Sequence, residues 1–248
     1  MKPALRRLAL ALAFLTRLPV RVDAGDERDV GRSVAFFPLV GALLGAALAL
    51  LAWLVGGRLP DSVLAVLVTA LLAALTGGLH LDGVADTFDA LGAPGADRAR
   101  LLEILRDSRI GAHGATALLL VVLLQVTALH AVLAAPHATP ILLACLAVAR
   151  FVAALVIVLF PYARTSGLGV AFHAHARRAD VVVAGVVAAL FVLAAGRAAL
   201  LASLLATGVV LLFVQRVASR LGGVTGDVCG AAIELAQVAF LVAFLAAS

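Results

Sequence analysis

The sequence predicts an all-α polytopic integral membrane helical bundle. It has about seven transmembrane helices plus an N-terminal interfacial or re-entrant helix, in one domain spanning 1–248. Three observations carry this. First, 64% of the 248 residues are hydrophobic and 13% are charged, against about 25% charged in soluble proteins. Second, the mean hydropathy is +1.16, as expected where lipid rather than water is the main solvent. Third, long apolar runs alternate with short charged connections, and no polar stretch exceeds about 35 residues, too few for an ordinary soluble domain.

The elements follow in chain order. "MKPALRRLALALAFLTRLPV" has a basic start, a short apolar run and an "ALA" that mimics a signal-peptide cleavage site. That "ALA" lies inside the apolar run, Arg17 and Pro19 follow at once, and Leu8–Leu15 is too short to span a bilayer. The segment therefore reads as a retained interfacial or re-entrant helix. Spans are expected at 33–55, 62–80, 114–135, 139–160, 181–195, 198–214 and 229–247. A run of 15 residues reaches only about 22 Å, so 181–195 either borrows flanking residues or forms a hairpin with 198–214.

Charge sorts between the connections. Lys and Arg number seven in 1–32, four in 81–113, three in 161–180 and two in 215–228, whereas the alternate connections carry only Arg58 and Arg197. Positive charge stays cytoplasmic, which puts the N-terminus and these four segments inside and the C-terminus outside. The net charge of +5 is explained by these flanking arginines, so a nucleic-acid partner is not expected. The lipid bilayer is the expected partner. Gly41 and Gly45 form a GxxxG, which suits helix packing within the bundle first and a homo-oligomer contact second. Cys145 and Cys229 show no metal-binding spacing and read as small buried hydrophobes.

Polar residues that could do chemistry are few. In "GGLHLDGVADTFDALG", Asp82, Asp86 and Asp89 fall at i, i+4 and i+7 of a helix continuing past His80, within about 60° of one another. Three close anions repel, so a cation is expected among them. Carboxylate-only ligation suits a hard divalent ion, and Mg²⁺ also takes phosphate oxygens from a substrate. In "RLLEILRDSRIGAHGA", Arg106, Arg109 and His113 form one stripe if the helix persists, and arginine matches phosphate geometry. Asp107 either joins the metal shell or pairs with an arginine. In "GGVTGDVCGAAIEL", Asp227 either completes the metal site or acts as general base, and Glu234 is expected to pair with Arg150 across the bundle. Arg17 either touches an anionic substrate or anchors the chain to the membrane. His80 either orients substrate or packs. His173 and His175 read as a solvated basic loop; His130 and His137 read as structural. No GxSxG, Walker A, HExxH or GxGxxG occurs, so the corresponding hydrolase, P-loop, zinc-protease and dinucleotide-fold readings lack support.

These four segments, with "FLTRLPV" as the first, resemble the cobalamin synthase family, whose activity is that of an adenosylcobinamide-GDP ribazoletransferase. The motifs stand in the family's order over nearly the whole chain. The resemblance implies a Mg²⁺-dependent bacterial inner-membrane transferase. It would join adenosylcobinamide-GDP to α-ribazole or its 5′-phosphate, release GMP, and give adenosylcobalamin or its 5′-phosphate. On that chemistry Asp82, Asp86 and Asp89 are assigned to metal and Arg106, Arg109 and Asp227 to catalysis. Arg17, His80, Asp107 and His113 are assigned to substrate binding. A more distant likeness is to membrane CDP-alcohol phosphotransferases, but Asp86 stands where their motif has arginine, and Ala231 where it has its last aspartate. A divalent-metal transporter is the remaining alternative. It ranks low because the acids lie at the membrane edge and no repeat is visible.

Overall fold

The computed structural model describes residues 2–22, 26–135 and 137–248. Among these, twelve α-helices run in order: α1 Pro3–Leu15, α2 Glu27–Arg32, α3 Phe37–Val55, α4 Asp61–Thr76, α5 Leu79–Gly92, α6 Arg98–Ile104, α7 Ala112–Leu133, α8 Ala138–Leu159, α9 Leu168–His175, α10 Arg178–Ala195, α11 Arg197–Leu221 and α12 Gly226–Ala247. A 3₁₀ turn, Ser33–Phe36, joins α2 to α3. Helices are the expected solution, because a backbone in lipid must satisfy its hydrogen bonds within its own segment.

Six helical segments are long and apolar enough to cross a membrane: Glu27–Val55, α7, α8, α10, α11 and α12. α4, with 16 residues, is shorter and qualifies only together with α5, which turns off from it by 89°. Each of the seven expected spans falls on a helix, six of them long enough alone to cross, and the protein is a polytopic helical membrane protein. α10 and α11 are two separate helices that meet at Gly196. The short run 181–195 gains its length by starting at Arg178, so it borrows residues rather than forming a half-span hairpin. One boundary differs from expectation. The span 62–80 ends at Thr76, where Gly77 and Gly78 both take left-handed φ values of 66° and 69°. Two successive positive-φ residues end one helix and re-aim the next, a conformation available at low cost to glycine. Asp82, Asp86 and Asp89 therefore lie on a helix of their own, beyond the span.

α8 and α12 occupy the middle of the bundle. The GxxxG of α3 is filled by α8: a side chain at Gly41 or Gly45 would collide with the backbone of Leu146 or Leu142. That close approach supplies dispersion contact where lipid offers no hydrophobic drive. The motif is thus used inside the chain and is not free for a second copy. The leucines of α10 and α11, such as Leu190, Leu193, Leu204 and Leu212, are exposed and form the lipid-facing surface. Trp53, also exposed, sits near the end of α3 where an interfacial aromatic belongs.

The expected Glu234–Arg150 pair is not direct. Arg150, fully buried, donates to Gln237 Oε1 at 2.9 Å, and Gln237 Nε2 donates to Glu234 at 2.7 Å. Gln125 donates to the same Glu234 oxygen from α7. Gln237 lies one turn deeper than Glu234 on α12 and faces α8, so a neutral amide with both a donor and an acceptor bridges two charges that do not meet. The sequence alone points to a charged partner, because the amides of Gln125 and Gln237 carry no local pattern that marks them as a bridge.

The four basic connections gather at one end of the bundle. Arg6 and Arg7 of α1 hold Asp29 of α2, with Arg7 Nε at 2.7 Å. His175 Nε2 stands 3.7 Å from Glu27. Arg98 and Arg220 donate to the carbonyls of Ala163 and Leu91. The connection after α8 pairs with the one before α12 through a parallel bridge, Tyr162 to Val224. Its bonds are Ala163 N–H to Val224 O and Val224 N–H to Pro161 O, both 2.8 Å.

Candidate active site

The site is built on the crossing of α5 with α12. Gly83 of α5 lies against the Asp227 backbone, where an added Cβ would come within 2.5 Å of the carbonyl oxygen. Only a residue without a side chain lets the two helices approach this closely. The crossing puts Asp227 among the aspartates of α5. Burial, then the negative charges of Asp82, Asp227 and Asp89, raise the Asp86 carboxyl from its ordinary 3.8 to about 7. Asp82, Asp89 and Asp227 thus act on Asp86 as like-charged neighbours, which disfavours ionising all four together.

Asp89 has a second task. Its carboxylate accepts from the backbone N–H of Gly111 at 2.6 Å and of Gly114 at 2.8 Å. It thereby caps α7, where a carboxylate is favoured by the helix dipole. A Cβ at either glycine would strike that carboxylate. The glycines of the GAHG segment are therefore required by Asp89 and do not merely break a helix.

The downstream arginine stripe does not form. α6 stops at Ile104 and α7 starts at Ala112, so Arg106, Arg109 and His113 do not share a helix face. The intervening segment is instead pinned at both ends to the acid cluster. Arg164 donates to Leu105 O at 3.1 Å, and Asp89 holds Gly111. Arg106 is exposed. The side chain of Arg109 is 87% exposed and bonded to Asp107 at 2.7 Å. Side-chain, then backbone, hydrogen bonds from Arg109 hold the Asp107 carboxyl down at about 2, so of the two readings of Asp107 the structure places it with an arginine. The exposed His113 ring packs over Gly92, and Arg17 packs over Gly77 at the α4–α5 turn.

Arg164 was not singled out from the sequence. It donates to Asp227 Oδ2 at 2.8 Å, and the Thr225 hydroxyl donates to the same oxygen at 3.1 Å. The Tyr162–Val224 bridge fixes this register by tying the two connections together. A long-range pairing of this kind leaves no local pattern, although Tyr162 is the chain's only tyrosine.

Beside Asp227 and Arg164 opens a cavity of about 290 Å³ between α1, α3, α8, α9 and α12. Phe14, Phe37 and Phe172 form one wall, with ring centroids 4.4 to 5.8 Å apart. The rings of Tyr162 and His173 lie 4.7 Å apart beside it. His173 is thus no solvated loop residue. It belongs to α9, bonds to Gly169 O through Nδ1 at 2.9 Å, and burial holds it below the ordinary histidine range. His80 also lines the cavity. It is 3% exposed, with Nδ1 3.8 Å from Glu234, which connects the cavity to the buried Gln237 network.

The carboxylates suit a hard divalent cation. Among the described residues no three His, Cys, Asp or Glu side chains converge tightly enough to hold an ion unaided. The carboxylates, with Arg164 as the arginine bonded to them among the described residues, leave a local excess of negative charge.

A family model described as cobalamin-5-phosphate synthase matches residues 7–245. The chain belongs to the cobalamin-5-phosphate synthase family. It is 42% identical over 246 residues to an adenosylcobinamide-GDP ribazoletransferase of Pseudomonas aeruginosa strain UCBPP-PA14, covering 98% of this chain and 99% of that one. Proteins of the same name from Syntrophobacter fumaroxidans and Desulfitobacterium hafniense strain Y51 are 43% and 36% identical. These alignments cover 93% and 96% of this chain and 94% and 96% of theirs. No solved structure matches.

Proposed function

We propose that this chain transfers the adenosylcobinamide-phosphate group of adenosylcobinamide-GDP to α-ribazole or its 5′-phosphate. GMP leaves, and adenosylcobalamin or its 5′-phosphate forms. The observation that carries the reading is end-to-end similarity to proteins named for that transfer. The site supports it chemically: a carboxylate group beside an arginine and a cavity suits attack by an alcohol on a pyrophosphate.

A ribose hydroxyl of the ribazole attacks the phosphorus on the cobinamide side, and the bond from that phosphorus to GMP breaks. Asp227 accepts the hydroxyl proton, held in position by Arg164 and Thr225. Asp82 and Asp86, with the remaining lone pairs of Asp89, would hold Mg²⁺, which would supply charge neutralisation on the pyrophosphate oxygens. Arg106 and Arg109 stand on the pinned segment beside these acids and neutralise the phosphates of the entering nucleotide. Asp107 pairs with Arg109 and yields it to the phosphate, while Arg17, His80 and His113 border the substrate. The gathered basic connections support an orientation with the N-terminus and this end on the cytoplasmic side of a bacterial inner membrane.

The test is GMP release by the purified protein in detergent. Expected is release that needs adenosylcobinamide-GDP, α-ribazole and Mg²⁺ together. Turnover of CDP-diacylglycerol with an alcohol instead, or Mg²⁺ uptake into liposomes without transfer, would overturn it.

A further inference from the structure

The reaction brings together three large groups: a corrinoid, a guanosine and the aromatic base of the ribazole. The cavity beside Asp227 can hold only one of them. At about 290 Å³ it stands at the small end of ligand pockets, which run from about 300 to 1,000 Å³. A corrin macrocycle with its amide arms and adenosyl group does not fit. Guanine fits by size but carries donors and acceptors along two edges, which cost free energy when buried without partners. The cavity wall is mostly aromatic and aliphatic, with Phe14, Phe37, Phe172, Ala153, Ile157 and Ile233.

We infer that this cavity is the acceptor subsite, seating the benzimidazole-type base of the ribazole among the phenylalanines with its ribose toward Asp227 and Arg164. The inference rests on the proposed transfer and adds the location of one substrate. A flat, bicyclic, largely apolar ring gains from offset and edge contacts with aromatic side chains, and the three phenylalanine rings supply such faces. Its hydrogen-bonding needs are few, and among the described residues the buried side-chain atoms of the lining left without a partner are His173 Nε2, His80 Nδ1 and Arg164 Nε. His173 donates Nδ1–H to Gly169 O, which leaves Nε2, buried and without a partner, as an acceptor for a sugar hydroxyl. His80, almost fully buried, lines the cavity and its Nδ1 makes no hydrogen bond among the described residues. The polar end of the cavity is the Asp227–Arg164 pair, so a base seated among the rings presents its ribose to the group assigned to take the hydroxyl proton.

The test is steady-state GMP release in detergent, varying each substrate in turn, for the wild-type protein and for Phe172→Leu and Ala153→Leu. Losing or crowding apolar contacts in a pocket changes discrimination about 10- to 200-fold. With wild-type turnover established, both variants are expected to raise KM for α-ribazole at least about tenfold and to leave KM for adenosylcobinamide-GDP unchanged. A selective rise in KM for adenosylcobinamide-GDP, or an unchanged KM for α-ribazole in both variants, overturns the subsite while the transfer stands. No wild-type turnover removes the transfer and the subsite with it. A readout independent of variants is photolabelling of wild-type protein by a diazirine-bearing benzimidazole riboside. Labelling of α1, α3, α8, α9 or α12 beside the cavity is expected, and labelling confined to segments that do not line it contradicts the assignment.

Discussion

Two polar regions of this bundle handle charge in opposite ways. In the interior, Arg150 and Glu234 are fully enclosed and bridged by Gln237, with Gln125 also bonded to Glu234, while Arg150 Nε and Nη2 make no hydrogen bond among the described residues. At the basic end, Asp82, Asp89 and Asp227 bear on Asp86 as like charges, and Arg164 is the arginine bonded to Asp227. The first region is balanced and closed, as a low-dielectric interior demands. The second keeps an excess of negative charge next to a cavity. The difference separates structure from chemistry: a balanced network holds helices together, whereas like charges kept close mark a place that a ligand completes.

Substitutions should sharpen that contrast. The largest effect is expected at the acid cluster. Asp82→Asn and Asp86→Asn should each lower turnover at least about 100-fold, while thermal unfolding in detergent without Mg²⁺ shifts upward, because a repulsive charge is gone. Arg164→Ala comes next. It should cost about 10- to 100-fold in kcat, since Asp227 loses its orienting partner and the Leu105 segment one of its two tethers. Lowered melting with normal kcat would place Arg164 in the structural region instead.

The pH response follows from Asp86. Its carboxyl is raised from 3.8 to about 7 by burial and by its acidic neighbours, so between about pH 4 and 7 the folded chain holds a proton that the unfolded chain has released. Stability without cation should therefore fall as pH rises through that window. Mg²⁺ competes with this proton, so its apparent affinity should rise about tenfold per pH unit up to about 7 and then level. Asp86→Asn should flatten both curves. A Mg²⁺ affinity independent of pH in the wild-type protein would contradict a shared site.

In the interior the expected pattern reverses. Gln237→Leu leaves Arg150 and Glu234 buried without their bridge and should cost about 1–3 kcal/mol of stability, with kcat of the folded fraction nearly unchanged. Coupling between Arg150→Gln and Glu234→Gln in a double-mutant cycle should vanish in the Gln237→Leu background. The smallest effect is expected at Asp107→Asn. This carboxylate is exposed and its partner Arg109 is free to reach phosphate without it, so GMP release should change less than about twofold.

Composition and run length made the fold legible, because lipid constrains a sequence more tightly than water does. All seven spans were readable, and so was the helical spacing of Asp82, Asp86 and Asp89. The Gly77–Gly78 turn was harder to see. Hydropathy continues through it to Leu79, and two consecutive glycines can end a helix or pack within one. The arginine stripe failed for a related reason: the spacing of Arg106, Arg109 and His113 means one face only if a helix continues, and Asp89 starts α7 afresh at Gly111. Arg164, Tyr162 and Gln237 carry no local signal, and His173 reads as a loop residue, because their roles arise from long-range pairing. The bridge between residues 162 and 224 brings together positions that share no local pattern.

The most direct test of the central claim compares GMP release from adenosylcobinamide-GDP and α-ribazole by wild-type protein and by Asp86→Asn across a Mg²⁺ titration at neutral pH. Expected is wild-type release that saturates with Mg²⁺ and a loss of at least about 100-fold in the variant, which still unfolds cooperatively. A folded Asp86→Asn protein with wild-type turnover at every Mg²⁺ concentration would contradict the assignment of the acid cluster to this chemistry.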